Sequence, residues 1–307
     1  MASVDAGAPP VAATTIAPAG AVDRLAGNAR SSSSIWPRLW RNPRVVISSS
    51  LLLIIFVVAV FAPWLTPQDP MMMNSSVRLQ GPSTEFRLGT DEYGRDLLSR
   101  IILGSRTSMV VAVLSVAAAT VVGTLFGLVG SYFGGIWEIA TMRSVDVLLT
   151  FPPILLAIAV VAFVGPSMPN LIGVIALLYM PRFARIAHGA GLQVKQREFV
   201  EAARVLGAGA PRILWLAILP NILAPIFVQI SLSLGFAILL ESGLSFLGLG
   251  TPPPAPSWGN MVGVARGYLR QSGWFVLWPS LAISITILCF NTLGDGLRDS
   301  LDPRLKR

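Results

Sequence analysis

The stretch Thr107 to Ser131, TSMVVAVLSVAAATVVGTLFGLVGS, runs for 25 residues without a charged side chain. Wound as a helix at 1.5 Å per residue it reaches about 37 Å, more than the roughly 30 Å of hydrocarbon in a bilayer. A chain crosses that layer only if every backbone N–H and C=O is satisfied without water, which a helix does internally. The stretch therefore predicts a transmembrane helix, closed by Gly130, Gly134 and Gly135.

Similar runs lie on either side. Val45 to Trp64 predicts a first span, with Trp36, Trp40 and Trp64 as interface anchors. Val147 to Pro181 is too long for one helix, and the turn-forming Gly165-Pro166-Ser167-Met168-Pro169-Asn170 divides it into a third and a fourth span. Ile213 to Leu240, starting near Pro220, predicts a fifth, and Trp274 to about Leu293 a sixth. Gly243 to Gly250 is too short to span, and Thr251-Pro252-Pro253-Pro254 breaks it. The expected fold is all-α: a polytopic membrane protein with six transmembrane helices.

Composition agrees. Of 307 residues, 53% are hydrophobic and 12% charged, against about 25% charged in soluble proteins, and the mean hydropathy is +0.69. An ordinary cytosolic enzyme is excluded. A single cysteine, Cys289, rules out an intrachain disulfide, and a single histidine, His188, rules out a two-histidine zinc site. The net charge of +8 reads as topology rather than as a nucleic-acid surface. With the N-terminus inside, 16 of the 23 basic residues fall in cytoplasmic segments, which places both termini in the cytoplasm.

The cytoplasmic segment between the fourth and fifth spans contains Arg197-Glu198-Phe199-Val200-Glu201-Ala202-Ala203-Arg204-Val205-Leu206-Gly207. Phe199, Ala202, Ala203 and Leu206 recur at three- and four-residue steps, predicting a short amphipathic helix that Gly207 ends in a left-handed conformation. A helix this short needs something to dock on; a solvated loop helix is the alternative.

Glu201-Ala202-Ala203, Gly207 and Leu219-Pro220 resemble the "EAA" signature of ABC importer permeases, the loop that grips the ATPase subunit. Ala217 departs from the isoleucine usual two residues before Leu219. Three further stretches resemble the C-type permease subunit of dipeptide and oligopeptide importers: Leu88 to Arg100 (LGTDEYGRDLLSR), Gly243 to Gly259, and Asn291 to Arg304. The resemblance implies the type I ABC importer permease fold, in the prokaryotic inner membrane, carrying peptide. It implies a homologous B-type permease subunit, one fused or two separate ABC ATPase subunits, and an extracytoplasmic solute-binding protein as partners, with membrane lipid and no nucleic acid. ATP and Mg would sit on the ATPase subunits, with no cofactor, metal or catalytic residue here. Phe199, Val200, Glu201, Ala202, Ala203, Arg204, Leu206 and Gly207 would be the ATPase-coupling residues. The chain itself has no G-x-x-x-x-G-K-[ST] loop, its only lysines being Lys195 and Lys306.

The chain is thus divided into a disordered cytoplasmic tail, 1–35; a first span and extracytoplasmic loop with an interfacial helix, 36–106; a permease domain, 107–295, with its coupling loop at 187–219; and a cytoplasmic C-terminal tail, 296–307. Thr90 is expected to cap the interfacial helix, with Asp91 and Glu92 in its first turn, serving as a structural elbow or touching substrate. The loop after Glu241 is a gate, a receptor-docking surface or simple packing. Asp295 and Arg298 are spaced for a helix-end ion pair. Arg182 and Arg185 read as cytoplasmic snorkelling residues, Arg143 and Asp146 as an interhelical pair or interface residues, His188 as a loop residue, Cys289 as apolar packing, and Pro152-Pro153 as a kink. An ion-gradient-driven secondary transporter is the rival, and expects acids inside the spans.

Overall fold

The computed structural model describes residues 42–301, so the expectations for residues 1–41 and 302–307 lie outside the described residues. Among those described, regular structure is helical, apart from one isolated bridge between Thr90 and Asp96. The long helices are α1 (Pro43–Val60), α2 (Leu97–Phe133), α5 (Met168–Lys195), α7 (Ala210–Phe246) and α9 (Gly273–Leu301). Each is apolar and long enough to cross a bilayer.

A sixth crossing is broken. α3 (Gly135–Leu149) and α4 (Pro153–Val164) meet at 91°. Pro152 and Pro153 interrupt the helix there, since neither offers a backbone N–H and each disfavours helical geometry in the residue before it. The direction of the neighbours shows why the pair counts as one span. Gly123, Gly127 and Ser131 of α2 meet Phe183, Ala187 and Gly191 of α5 in that order, so α2 and α5 run parallel. The chain between them must return across the layer, and α3 with α4 is the only helical segment there. The six-span expectation holds, but the third span starts at Gly135 rather than Val147 and bends sharply rather than kinking.

α2 and α5 form the most extensive helix pair, and small residues make this possible. A methyl added at Gly127 would lie 2.6 Å from Ala187 Cβ, and one at Gly123 would lie 2.7 Å from Phe183 Cβ. This is the Gly-x-x-x-Gly arrangement that lets membrane helices approach backbone to backbone. α7 runs antiparallel to α2, bringing Glu241 to Ser108, and α9 runs antiparallel to α7, bringing Phe290 to Gly235 and Gly294 to Leu232. Val45 at the start of α1 packs on Gly296. Both ends of the described chain therefore lie on one side, with the short helix α6 (Glu198–Val205).

Several boundaries differ from the sequence reading. α5 continues through Pro181 to Lys195, so His188 is helical and the loop expected to begin at 187 begins after Lys195. α7 begins at Ala210, ten residues before Pro220, through a π-helical stretch, Ile213–Ile218, and ends at Phe246. Pro220 cannot donate to the preceding turn, and Asn221 Nδ2 instead donates to the Ala217 carbonyl at 2.7 Å. α9 reaches Leu301, past the expected tail boundary at 296, and no ion pair joins Asp295 to Arg298 among the described residues. No separate interfacial helix precedes the second span. Asp96, not Thr90, caps α2, accepting from the Ser99 N–H at 2.8 Å.

The opposite side carries the loop 66–96 and the short helix α8 (Trp258–Ala265). Asp91, fully buried, accepts from the Tyr93 and Arg95 N–H groups at 2.8 and 2.9 Å and from Arg95 Nε at 2.6 Å, and Arg100 Nε lies 3.2 Å from it. Arg95 also reaches Glu92 at 2.9 Å. Burial, and then the adjacent Asp91 charge, raise the Glu92 carboxyl above the usual carboxylate range. Gly94 sits at φ +73° against the Asn74 carbonyl, a conformation and a space that exclude a side chain. The motif Leu88 to Arg100 is thus a buried ionic knot that seats the loop on the head of α2, which is the structural-elbow alternative.

Candidate functional site: the α6 helix and its couplings

α6 is eight residues long, with Glu198 and Glu201 in its first turn and Arg204 in its last, an order that complements the helix dipole. Val200 is fully buried and joins the main core, with Ala203 and Ala208 packed beside it. Gly207 takes φ +82° and its N–H donates to the Arg204 carbonyl at 2.9 Å, while the Ala208 N–H donates to Ala203 at 3.0 Å. This is the left-handed termination expected from the sequence.

Of the apolar face read from the sequence, only Ala203 is half-buried. Phe199, Val205 and Leu206 are 43%, 83% and 86% exposed, and Glu201, Ala202, Arg204 and Gly207 are exposed with them. Val200 and Ala203 face inward, so α6 carries a second apolar face, Phe199, Ala202 and Leu206, that none of the described residues covers. Three- and four-residue spacing permits both faces, and packing selects between them.

Two cations tie this region to α2. Lys195, the last residue of α5, donates to the Ser131 and Tyr132 carbonyls at 3.0 and 2.7 Å, capping the C-terminal turn of α2. The Arg204 guanidinium stands 5.4 Å from the Tyr132 ring centroid. α3 is held from the same helix: Asp146 pairs with Arg185 at 2.8 Å rather than with Arg143, and Glu138 meets His188 Nε2 at 3.1 Å. α6 therefore stands against the inner ends of both α2 and α5.

Sequence reading missed Glu241. It lies within α7, fully buried, and accepts from Ser108 at 3.1 Å, Ser245 at 2.8 Å and Ser242 at 3.3 Å. Ser108 Oγ also accepts the Trp258 N–H at 3.3 Å, and Trp258 Nε1 donates to the Ile101 carbonyl at 3.0 Å. A methyl at Gly263 would lie 2.9 Å from the Phe246 carbonyl oxygen. α8 is thereby held backbone to backbone on α7, so packing, rather than a loose gate, accounts for Gly243 to Gly259. Cys289 is buried in the main core, as read. No group of three or more His, Cys, Asp or Glu is placed to hold a metal ion among the described residues.

Residues 119–307 match the family model described as the binding-protein-dependent transport system inner membrane component. The chain belongs to this family. Residues 32–82 match the N-terminal transmembrane domain of oligopeptide transport permease C. The chain is 41% identical over 269 residues to the dipeptide transport system permease protein DppC of Alkalihalophilus pseudofirmus, covering 88% of each. It is 39% identical to the di/tripeptide permease protein DppC of Pseudomonas aeruginosa, over 88% of this chain and 91% of that one. To the glutathione transport system permease protein GsiD of Pectobacterium atrosepticum it is 42% identical, over 88% and 90%. A solved chain of the MetNI methionine ABC transporter in inward-facing conformations has a TM-score of 0.54 at 18% identity, covering 66% of this chain and 97% of that one, and shares the fold. The protein is a multi-pass permease subunit of an ABC importer, as the resemblance at Glu201 to Gly207 implied, and not a secondary transporter.

Proposed function

We propose that this permease carries peptides and that α6 is the element through which ATPase subunits drive it. The observation that carries the reading is the uncovered apolar face of Phe199, Ala202 and Leu206 on a helix anchored from beneath by Val200 and Ala203. A face of this kind needs a partner, and family membership supplies the class. Both termini and α6 lie in the cytoplasm, in keeping with the basic residues concentrated on that side. A homologous B-type permease subunit completes the path, an extracytoplasmic binding protein delivers the cargo, and one fused or two separate ATPase subunits hold ATP and Mg. Catalysis resides in those subunits, and this chain transmits their motion.

Closure of the ATPase pair would shift α6 as a rigid body. Lys195 and Arg204 connect that shift to the end of α2, and the close α2–α5 seam moves both helices as one. Rocking of packed helices between two arrangements is the established way such displacements reach a distant site. Peptide as cargo is supported by the dipeptide, di/tripeptide and glutathione permeases among the relatives.

The test is to purify the chain with its neighbours and reconstitute uptake. An ATPase bound in fixed stoichiometry and lost on Leu206→Asp, with ATP-dependent dipeptide uptake, is expected. Copurification unchanged by charges on the Phe199, Ala202 and Leu206 face would refute the docking role.

A further inference from the structure

Arg182 is the fifteenth residue of a 28-residue helix, and the structure sets it inside the layer rather than at its edge. Its neighbours Met180 and Phe183 abut Gly123 of α2. Gly123 is eight residues from Ser131, or about 12 Å from the inner end of the uncharged run. The side chain does not reach for that inner edge. Its guanidinium stands 5.2 Å from the Tyr179 ring centroid and 5.6 Å from that of Phe236. Phe236 precedes by five residues Glu241, which meets Ser108 at the outer end of the run. Arg182 therefore points outward and toward α7, contrary to the snorkelling expected from sequence.

Its environment is also unlike that of Arg185. Arg185 pairs with Asp146, whereas no described carboxylate pairs with Arg182, which is exposed beside the exposed ring of Phe236. A guanidinium so placed is costly against lipid and marks an aqueous path or a protein-covered face. Two aromatic rings lie near its guanidinium, and a planar fork that no described carboxylate engages is suited to a carboxylate taken by two parallel hydrogen bonds. α5 and α7 are the two helices that α6 joins, so a ligand held between them is sensitive to the movement of α6.

We propose that Arg182, flanked by Tyr179 and Phe236, forms a carboxylate-binding station on the wall of the path and takes the free C-terminal carboxylate of the peptide in transit. This rests on the peptide-importer reading above. Movement of α6 changes the separation of α5 and α7 and so changes the affinity of the station between states, as directional release requires.

The experiment uses the assembled permease–ATPase complex without binding protein, and compares dialanine with dialaninamide by ligand-observed NMR. The unmodified complex should favour the free acid about tenfold. Arg182→Gln should bring the preference within about twofold, and Arg182→Lys, which keeps the charge, should retain most of it. Equal binding of acid and amide by the unmodified complex would overturn the proposal. So would a preference that survives Arg182→Gln, or a loss of the partner permease from the Arg182→Gln complex with the acid preference intact in what remains, which would assign Arg182 to a subunit ion pair. Binding-protein-dependent uptake by the unmodified importer separates the two levels: with no peptide uptake the cargo reading falls and takes the station with it, whereas uptake with no acid preference removes the station alone.

Discussion

Replacing Gly207 tests the coupling helix through its backbone. At φ +82° a residue with a Cβ costs about 1–2 kcal/mol, and a β-branched residue is a stronger outlier there. An added Cβ meets nothing within 4 Å, so the cost is conformational and confined to the turn that ends α6. Its two closing bonds, Gly207 N–H to Arg204 and Ala208 N–H to Ala203, would open in a fraction of molecules. With about 1.4 kcal/mol per factor of ten, the equilibrium constant for the closed, docking-competent turn should fall about 5- to 30-fold in Gly207→Val, while the spans remain packed. Asn tolerates the left-handed region better than Ala, so competence should fall in the order Gly, Asn, Ala, Val. A steric cause would instead rank Ala above Asn. The assay is ATPase copurification together with the ratio of uptake to ATP hydrolysis in proteoliposomes. Full uptake by Gly207→Val, or an Asn variant worse than Ala, would refute the reasoning.

Three other perturbations have defined outcomes. Gly127→Val places its side chain against Ala187 Cβ, at 2.6 Å for the first carbon, and should cost about 1–3 kcal/mol, read as a lower melting temperature in detergent, with Gly127→Ala intermediate. Lys195→Met removes the donor to the Ser131 and Tyr132 carbonyls and should cost up to about 2 kcal/mol; uptake should drop while Lys195→Arg retains it. Glu92 titrates above its ordinary value because of burial, so the folded state binds its proton more tightly than the unfolded one, and stability falls as pH rises through the carboxylate range from about 4.3. Glu92→Gln removes that loss: melting temperatures measured against pH should show the variant gaining on the parent as pH rises, then levelling off. A constant difference across the range would contradict the assignment.

The spans read easily from sequence where one helix face meets lipid and no charge intervenes, as in Thr107 to Ser131. They read poorly where charges inside the layer find tertiary partners. Arg185 reads as a snorkelling residue and His188 as a loop residue because the contacts joining Arg185 to Asp146 and His188 to Glu138, across 39 and 50 positions, are not visible along the chain. The same holds for Glu241, whose partner Ser108 lies 133 residues away. A lone acid in Leu239-Leu240-Glu241-Ser242-Gly243 was the available signal, and serines at 242 and 245 its local support. The position of α6 was legible, and so was its stop at Gly207. Which of its two apolar faces turns inward was not, because that depends on where the end of α2 stands. Thr90 reads as the cap of an interfacial helix since its own neighbours suit a helix start, but Thr90 Oγ1 is engaged with the Val77 carbonyl and the Gln80 N–H, and Asp96 caps α2 instead.

The parallel seam of α2 and α5 has a thermodynamic corollary. α2 runs from beside Trp258, which is bonded to Ile101 and Ser108, down that seam to its contact with Lys195, one turn from α6. No hinge interrupts α2 between these ends. Under the proposed coupling, a ligand of the outer face that favours one position of α2 alters affinity at α6 by a given factor, and a ligand of α6 returns the same factor to the outer face. The two ends of this permease are then not sender and receiver. On that proposal they share one equilibrium, and its coupling free energy can be measured from either side of the membrane.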